Sequence, residues 1–371
     1  MKKELITCTG IVWLALGAAG CTHELTPDAG SGKEQGPLLT VRAGLRSAAA
    51  TDRDIDATNR DIDESAYKAF PAGRQIRIYY AHNNLDQAYD FLQGIYQAPG
   101  GDDKTAPWTA QAWRPAPGSE PVKSIYLEDI KAPNSNGRYF FTATSYPEPR
   151  VSGGQECIYE VAPDQTALDA GFGAYDFLAA RAIYDDAAWK EGGEGITLHF
   201  RHLLSQLRVQ LILPKGSTAD GFFPDPAHAA LDATLAGKHY RYTVTYNNRT
   251  LAGGIFGIGL PSGGVEDIRM HSDGVTGPVT VNGREAYCHT FSAILPKQTL
   301  YGGKQLLFTL NGAAYSYTPP TANTVLLEQE KITTIQLTVL SGPGNQKVML
   351  NKVTLEDWLD DKADVGDLIP Q

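Results

Sequence analysis

An all-β chain of two tandem β-sandwich domains, with one short helix in the first, is what three features of the 371-residue sequence predict. Apolar and polar residues alternate with a period of two over long stretches, which marks strands half-buried against a core. Asn-Gly pairs, at Asn282-Gly283 and Asn311-Gly312, fall between such runs and favour the two-residue turns that join antiparallel strands. Gly (38) and Pro (22) are abundant, and Tyr (18) with Phe (12) suits sheets better than helix bundles. The chain is long enough for two or three sizeable cores. The strand readings divide it into domains at 38–214 and 215–371.

Lys2 and Lys3 open the chain, a mostly apolar run follows from Leu5 to Leu16, and Gly17-Ala18-Ala19-Gly20 leads to Cys21. Residues 1–20 therefore read as a secretory signal peptide, whose apolar part is short for a bilayer span. Ala18-Ala19-Gly20-Cys21 is similar to a lipobox, although the first position there is more often Leu. That resemblance implies cleavage before Cys21 and acylation of that residue. Several acyl chains anchor a protein stably where one would bind marginally. The alternative is ordinary cleavage that leaves Cys21 free. Residues 21–37 lack periodicity and form a flexible, lipidated tether.

The first strand runs from Leu38 to Arg46, with Leu39, Val41, Ala43 and Leu45 alternating against Thr40, Arg42, Gly44 and Arg46. Residues 47–66 are acidic, repeat Arg-Asp-Ile-Asp at Arg53 and Arg60, and read as a loop. Asp52, Asp54 and Asp56 invite a calcium-loop reading, but Ala57 and Asp63 stand where that loop needs Gly and Glu. Strands are expected at 75–80, 122–126, 138–143 and 156–161. Residues 98–121 are turn-rich and carry Trp108 and Trp113. The stretch Asp176–Tyr184, DFLAARAIY, has the spacing of an amphipathic helix. Gly195–Pro214 reads as the closing strand pair of the first domain, with a slip at His202–Gln206. In the second domain strands are expected at 230–235, 240–246, 279–281, 286–295, 305–310, 313–318, 332–340 and 347–355. In the last two, Ile335, Leu337 and Val339 share one face, and Met349, Val353 and Leu355 share another with Asn351.

The chemistry-bearing motifs are missing. There is no nucleophile elbow, no His-Glu-x-x-His and no phosphate loop, and Gly253–Gly259 lacks the spacing of a dinucleotide site. His199 and His202 are three apart, which on a strand sets them on opposite faces. Cys157 and Cys288 read as isolated buried thiols, with no paired-cysteine metal motif. No catalytic residue, metal ligand or cofactor is nominated, and the chain is read as a non-enzyme. The formal charge is −10. Without residues 1–20 it is 30 basic against 41 acidic residues, hence −11, which argues against nucleic acid.

A binding mode does follow from sheet physics. Removing a strand exposes backbone N–H and C=O groups that a neighbour's strand can pair with. The residues Phe200, His202, Ser205, Leu207, Val209 and Leu211, together with a closing hairpin that ends near Trp358, resemble the fimbrillin family, the subunits of type V pili. The resemblance implies two transthyretin-like sandwiches, export as a lipoprotein to the outer membrane, and polymerisation with other fimbrillin subunits. It implies that an Arg-specific protease cuts after the first strand and that a C-terminal segment of the next subunit fills the groove. On this chain the cut falls after Arg46, with Arg42, Arg53 and Arg60 as competitors. The donor candidates are Ile335, Leu337 and Val339, or Met349, Val353 and Leu355. Some relatives keep the lipid as anchors or sit at the tip as adhesins. The alternative reading is a monomeric surface lipoprotein that binds host or bacterial glycans through Trp108, Trp113 and tyrosine-rich loops.

Overall fold

A computed structural model describes residues 39–46, 67–68, 70, 72–81, 91–99, 106–114, 138–145, 151–153, 156–167, 176–185, 195–246, 256–259, 264–321, 325–342 and 345–358. The signal peptide, Cys21, the tether, the acidic loop, the expected strand at 122–126 and the tail after Trp358 lie outside them.

The described residues are almost entirely strand. The first set is β1 (Thr40–Arg46), β2 (Tyr67–Lys68), β3 (Gln75–Ala81), β4 (Phe91–Gln97), β5 (Thr109–Arg114), β6 (Arg138–Ser145), β7 (Val151–Gly153) and β8 (Glu156–Glu160). Next come β9 (Leu178–Asp185), β10 (Gly195–His202), β11 (Ser205–Pro214), β12 (Leu231–His239), β13 (Arg241–Tyr246), β14 (Phe256–Gly259), β15 (Val265–Arg269) and β16 (His271–Val281). The last are β17 (Arg284–Leu295), β18 (Gln298–Thr299), β19 (Leu306–Leu310), β20 (Ala313–Tyr317), β21 (Leu326–Leu327), β22 (Lys331–Gly342) and β23 (Asn345–Asp357). A 3₁₀ turn at Thr218–Asp220 is the helical element among the described residues.

An eight-stranded sheet runs in the order β2-β1-β10-β9-β6-β3-β4-β5. Its far end returns to its beginning: the Trp108 N–H, just ahead of β5, donates to the Val41 carbonyl at 2.8 Å. The curl encloses one core, built from Val41, Ala43, Ile76, Ile78, Phe141 and Phe200 among others. A five-stranded sheet, β16-β17-β11-β22-β23, and a four-stranded sheet, β15-β12-β19-β20, share a second core. Leu207, Val209, Leu211, Ile335, Leu337 and Val339 enter it from one side, and Leu235, Phe308 and Leu310 from the other. Another four-stranded sheet, β14-β13-β8-β7, adds Tyr159 and Tyr242 to that core.

The expected helix at Asp176–Tyr184 is a strand. β9 pairs with β6 along most of its length, and Ala179 and Leu178 pair with Arg201 and His202 of β10. Leu178, Ala180 and Ala182 all bury in the first core, a period of two that the Ala-rich composition had masked. Strand propensity is set by what the two neighbours offer, and here both offer free backbone. The long run 195–214 also differs from expectation. β10 and β11 do not pair with each other; the chain turns at Leu203-Leu204 and passes from the eight-stranded to the five-stranded sheet. Both Asn-Gly turns form as expected, with positive φ at Asn282 (51°) and Gly283 (72°), and at Asn311 (50°) and Gly312 (81°).

Cys288 is a free thiol buried beside Ile212 and Ala286. Burial pushes it up to about 11, against a smaller opposite pull from the Thr290 and Thr276 hydroxyls. The side chain of Cys157, in β8, lies outside the described residues. His289, in β17, accepts no charge easily: burial lowers its pKa from 6.5, partly offset by the Pro226 carbonyl 2.7 Å from Nε2.

Candidate functional site

Strand pairing dominates the described residues, so the site is sought among their edges. β1 lies near one end of the eight-stranded sheet. It runs parallel to β10, with Thr40–Leu45 set against Gly195–Phe200. On its other side, among the described residues, β2 covers Leu45 and Arg46 through Lys68 and Tyr67, and the Trp108 N–H reaches the Val41 carbonyl. β1 is nevertheless well anchored by its side chains. Val41 and Ala43 point into the core, where an aromatic row follows: Trp108 meets Phe70 edge-on, with centroids 5.1 Å apart, and Phe70 meets Phe200 edge-on at 5.1 Å. Parallel pairing beside a buried sheet edge is a seat that another extended segment of similar pattern fits. Arg46 is the last residue of β1, and its backbone pairs with Tyr67. Its side chain lies outside the described residues, as do Ser47, Arg53 and Arg60.

Trp108 is buried in that row, which takes it out of the alternative in which it presents a platform to sugars. The Trp113 side chain lies outside the described residues.

The five-stranded sheet ends in two unlike edges. At β16 the register to β17 slips between Ser272 and Gly274, and again between Thr276 and Val279, where Pro278 contributes no N–H. Bulges and proline blunt an edge against further pairing. At β23 the edge carries Met349 (45 % exposed), Leu350 (37 %) and Leu355 (49 %). Val348 and Val353 turn inward against the second core. Exposed apolar side chains on an outer strand invite a partner.

The two sets of donor candidates separate here. Ile335, Leu337 and Val339 lie in β22, which pairs with β11 on one side and β23 on the other, and all three are buried in the chain's own core. Withdrawing them would dismantle the sheet, so β22 is ill suited to lending. β23 could leave with the loss of one neighbour. The shared face expected for Met349, Val353 and Leu355 is broken by a bulge. Ile335 sits opposite Val353, and Gln336 opposite Lys352, but Leu337 sits opposite Leu350, so Asn351 is an extra residue. Its side-chain Nδ2 donates to Thr338 Oγ1 at 2.8 Å. One inserted residue flips the phase of a strand. Met349 therefore faces away from Val353 and Leu355.

A third feature was not legible in the sequence. His202, at the end of β10, and Trp358, just after β23, stack flat with centroids 3.8 Å apart and planes 5° from parallel. The buried imidazole is oriented by Asp176, whose Oδ2 lies 2.9 Å from Nδ1. Glu330 ties the same corner together. Its carboxylate pairs with Arg201 at 2.8 Å, its N–H donates to the Leu204 carbonyl, and its carbonyl accepts from the Trp358 N–H. Both residues of the stack were visible in the sequence as parts of separate motifs. Nothing in a separation of this length announced that they touch. His199 and His202 do not converge, and among the described residues no group of three His, Cys, Asp or Glu side chains is set to hold a metal ion.

Comparison with known proteins bears on this arrangement. A family model described as Fimbrillin-like matches residues 128–358. No curated protein matches the chain. Among solved structures, a candidate cell-adhesion protein from Bacteroides uniformis superposes with a TM-score of 0.52 at 16% identity, covering 87% of this chain and 98% of that one. A candidate cell-adhesion protein from Bacteroides ovatus gives 0.52 at 13% identity, covering 89% and 100%. At such identities the likeness is one of fold.

Proposed function

Since the chain belongs to the fimbrillin-like family of fimbrial structural proteins and is not an enzyme, we propose that it is a fimbrial subunit, exported as a lipoprotein and joined to its neighbours by exchanging β-strands. On this reading residues 1–20 direct export and Cys21 carries the lipid that first tethers the chain to the outer membrane. Cleavage after Arg46 releases β1. The seat along β10 then accepts a strand from another fimbrillin subunit, and β23 is the strand this chain lends. On this reading two tandem sandwich domains, residues 38–214 and 215–371, serve this purpose.

The observation that carries the reading is the seating of β1. Among the described residues it pairs along its length with β10 and only briefly elsewhere, with β2 at Leu45 and Arg46 and through the Val41 carbonyl with the Trp108 N–H, yet it fills a core position with Val41 and Ala43. Its removal leaves both unpaired backbone and uncovered aromatic surface. Each unsatisfied buried backbone group costs on the order of 1–3 kcal/mol, so an empty seat has a strong demand for a replacement. The exposed Met349, Leu350 and Leu355 on an edge strand support β23 as the lender.

The test is to trim the purified protein after Arg46 and run it unheated on a denaturing gel. Ladders of SDS-resistant oligomers are expected from trimmed but not from untrimmed protein. Trimmed protein that remains monomeric at high concentration would remove strand exchange from the account. The glycan-binding alternative has lost Trp108 to the core.

A further inference from the structure

We propose that the Trp358–His202 stack is a latch that keeps β23 on its own chain for as long as β1 is seated. Its purpose rests on the strand-exchange reading, but its existence can be tested without assembly. The argument begins with β10. Among the described residues, β10 is held in its sheet by β1 over Gly195–Phe200, and by β9 only at Arg201 and His202. β1 is thus the main partner of this strand. The two residues that β9 does hold are the ones that grip the C-terminal end of β23. His202 stacks on Trp358 with ring planes nearly parallel, and Arg201 pairs with Glu330, whose carbonyl accepts the Trp358 N–H.

Beyond the packing of Val348 and Val353 against the core and the Lys331–Asp357 ion pair, two attachments of β23 differ in kind. One is its pairing with β22, which is interrupted by the bulge at Asn351. The other is the corner at Trp358, and that corner stands on β10. When β1 leaves, β10 keeps only its short pairing with β9, and Phe200, the neighbour of Arg201, loses its partner Leu45. The plate on which Trp358 rests is then held from one side, by the β9 pairing of His202, by Asp176 and by the Leu203 N–H bonded to the Phe177 carbonyl. A strand released at its end peels from the end inward, because each remaining pair has only the next to hold it. Emptying the acceptor seat thus frees the donor strand of the same molecule. A chain with β1 in place keeps both closed.

The experiment is amide hydrogen exchange on the full-length monomer, comparing the wild type with Trp358→Ala, Val41→Asp and the double variant. Val41 is buried in β1, so an aspartate there unseats that strand without any cut. Trp358→Ala is expected to speed exchange across 345–357 by roughly two- to tenfold, the range an aromatic contact supports, while β11 and β17 stay protected. Trp358→Phe, which keeps a ring, should recover most of the protection. Val41→Asp should speed exchange in the same segment, and the double variant should add little to either single one, since both act through one contact. Val41→Gly is the milder substitute if the aspartate variant does not fold. The latch is overturned if unseating β1 leaves 345–357 as protected as before, or if the two effects simply add. Failure of trimmed protein to form ladders would instead count against strand exchange, and would leave the exchange result standing.

Discussion

Phe200, His202 and Ser205 fall within six residues and serve three separate ends. Phe200 is buried against Phe70 in the first core. His202 binds Asp176 and Trp358. Ser205, fully buried, donates its hydroxyl to the Leu295 carbonyl at 2.8 Å and so satisfies the backbone where the chain changes sheet. Their spacing could be read from the sequence, but their partners could not, because each lies in a distant strand. His289 shows the same limit: nothing nearby marks it as buried. Its lowered pKa has a definite consequence for stability. The native state holds the neutral imidazole, so its contribution is complete above the ordinary pKa of 6.5 and shrinks as pH falls below it, where the unfolded chain takes up the proton. Thermal unfolding of wild type and His289→Gln across this range should show the widest gap at pH 7.5 and a narrower one at pH 5.5. A gap that widens on acidification would contradict the assignment.

Most strands were legible because one face is buried and the other is not, and the two Asn-Gly turns fixed the hairpins around them. β9 was not, since an alanine-rich stretch satisfies the helical and the extended spacing alike until neighbouring strands decide between them. The bulge at Asn351 was hidden for a related reason: an inserted residue leaves no mark in an alternating run, yet it turns Met349 to the opposite face. The contrast between β22 and β23 matters most for assembly. Replacing both Leu350 and Leu355, which share one face of β23, by lysine adds charge at exposed positions, so monomer stability should change by no more than about 0.5 kcal/mol for each. The same pair of lysines in a borrowed seat lined by Phe70, Phe200 and Trp108 is costly, and trimmed protein carrying them should form few or no ladders. Chemical denaturation and gel analysis on one preparation separate the two effects. Undiminished ladders would mean that β23 is not the lender.

At the level of the molecule, an all-β architecture was readable from composition and alternation. How the halves join was not. β8 comes from the first half of the chain yet pairs with β13 from the second, and β11 is central to a sheet made of later strands. On the proposed reading, the N-terminus distinguishes the anchored from the assembled form. Mass spectrometry of native material should find chains that begin at Ser47 in the fibre fraction and chains that begin at an acylated Cys21 in the membrane fraction. Unacylated Cys21 throughout would remove the lipid from the account. The unequal rims of the five-stranded sheet, one kinked by bulges and proline and the other bare, carry a last consequence. On the strand-exchange reading only the bare rim lends, to a seat along β10 in a different sheet, so the joined surfaces are dissimilar, and dissimilar surfaces repeat head to tail instead of closing into a symmetric pair. A filament built this way has a direction, with a growing tip and a base that cannot be interchanged.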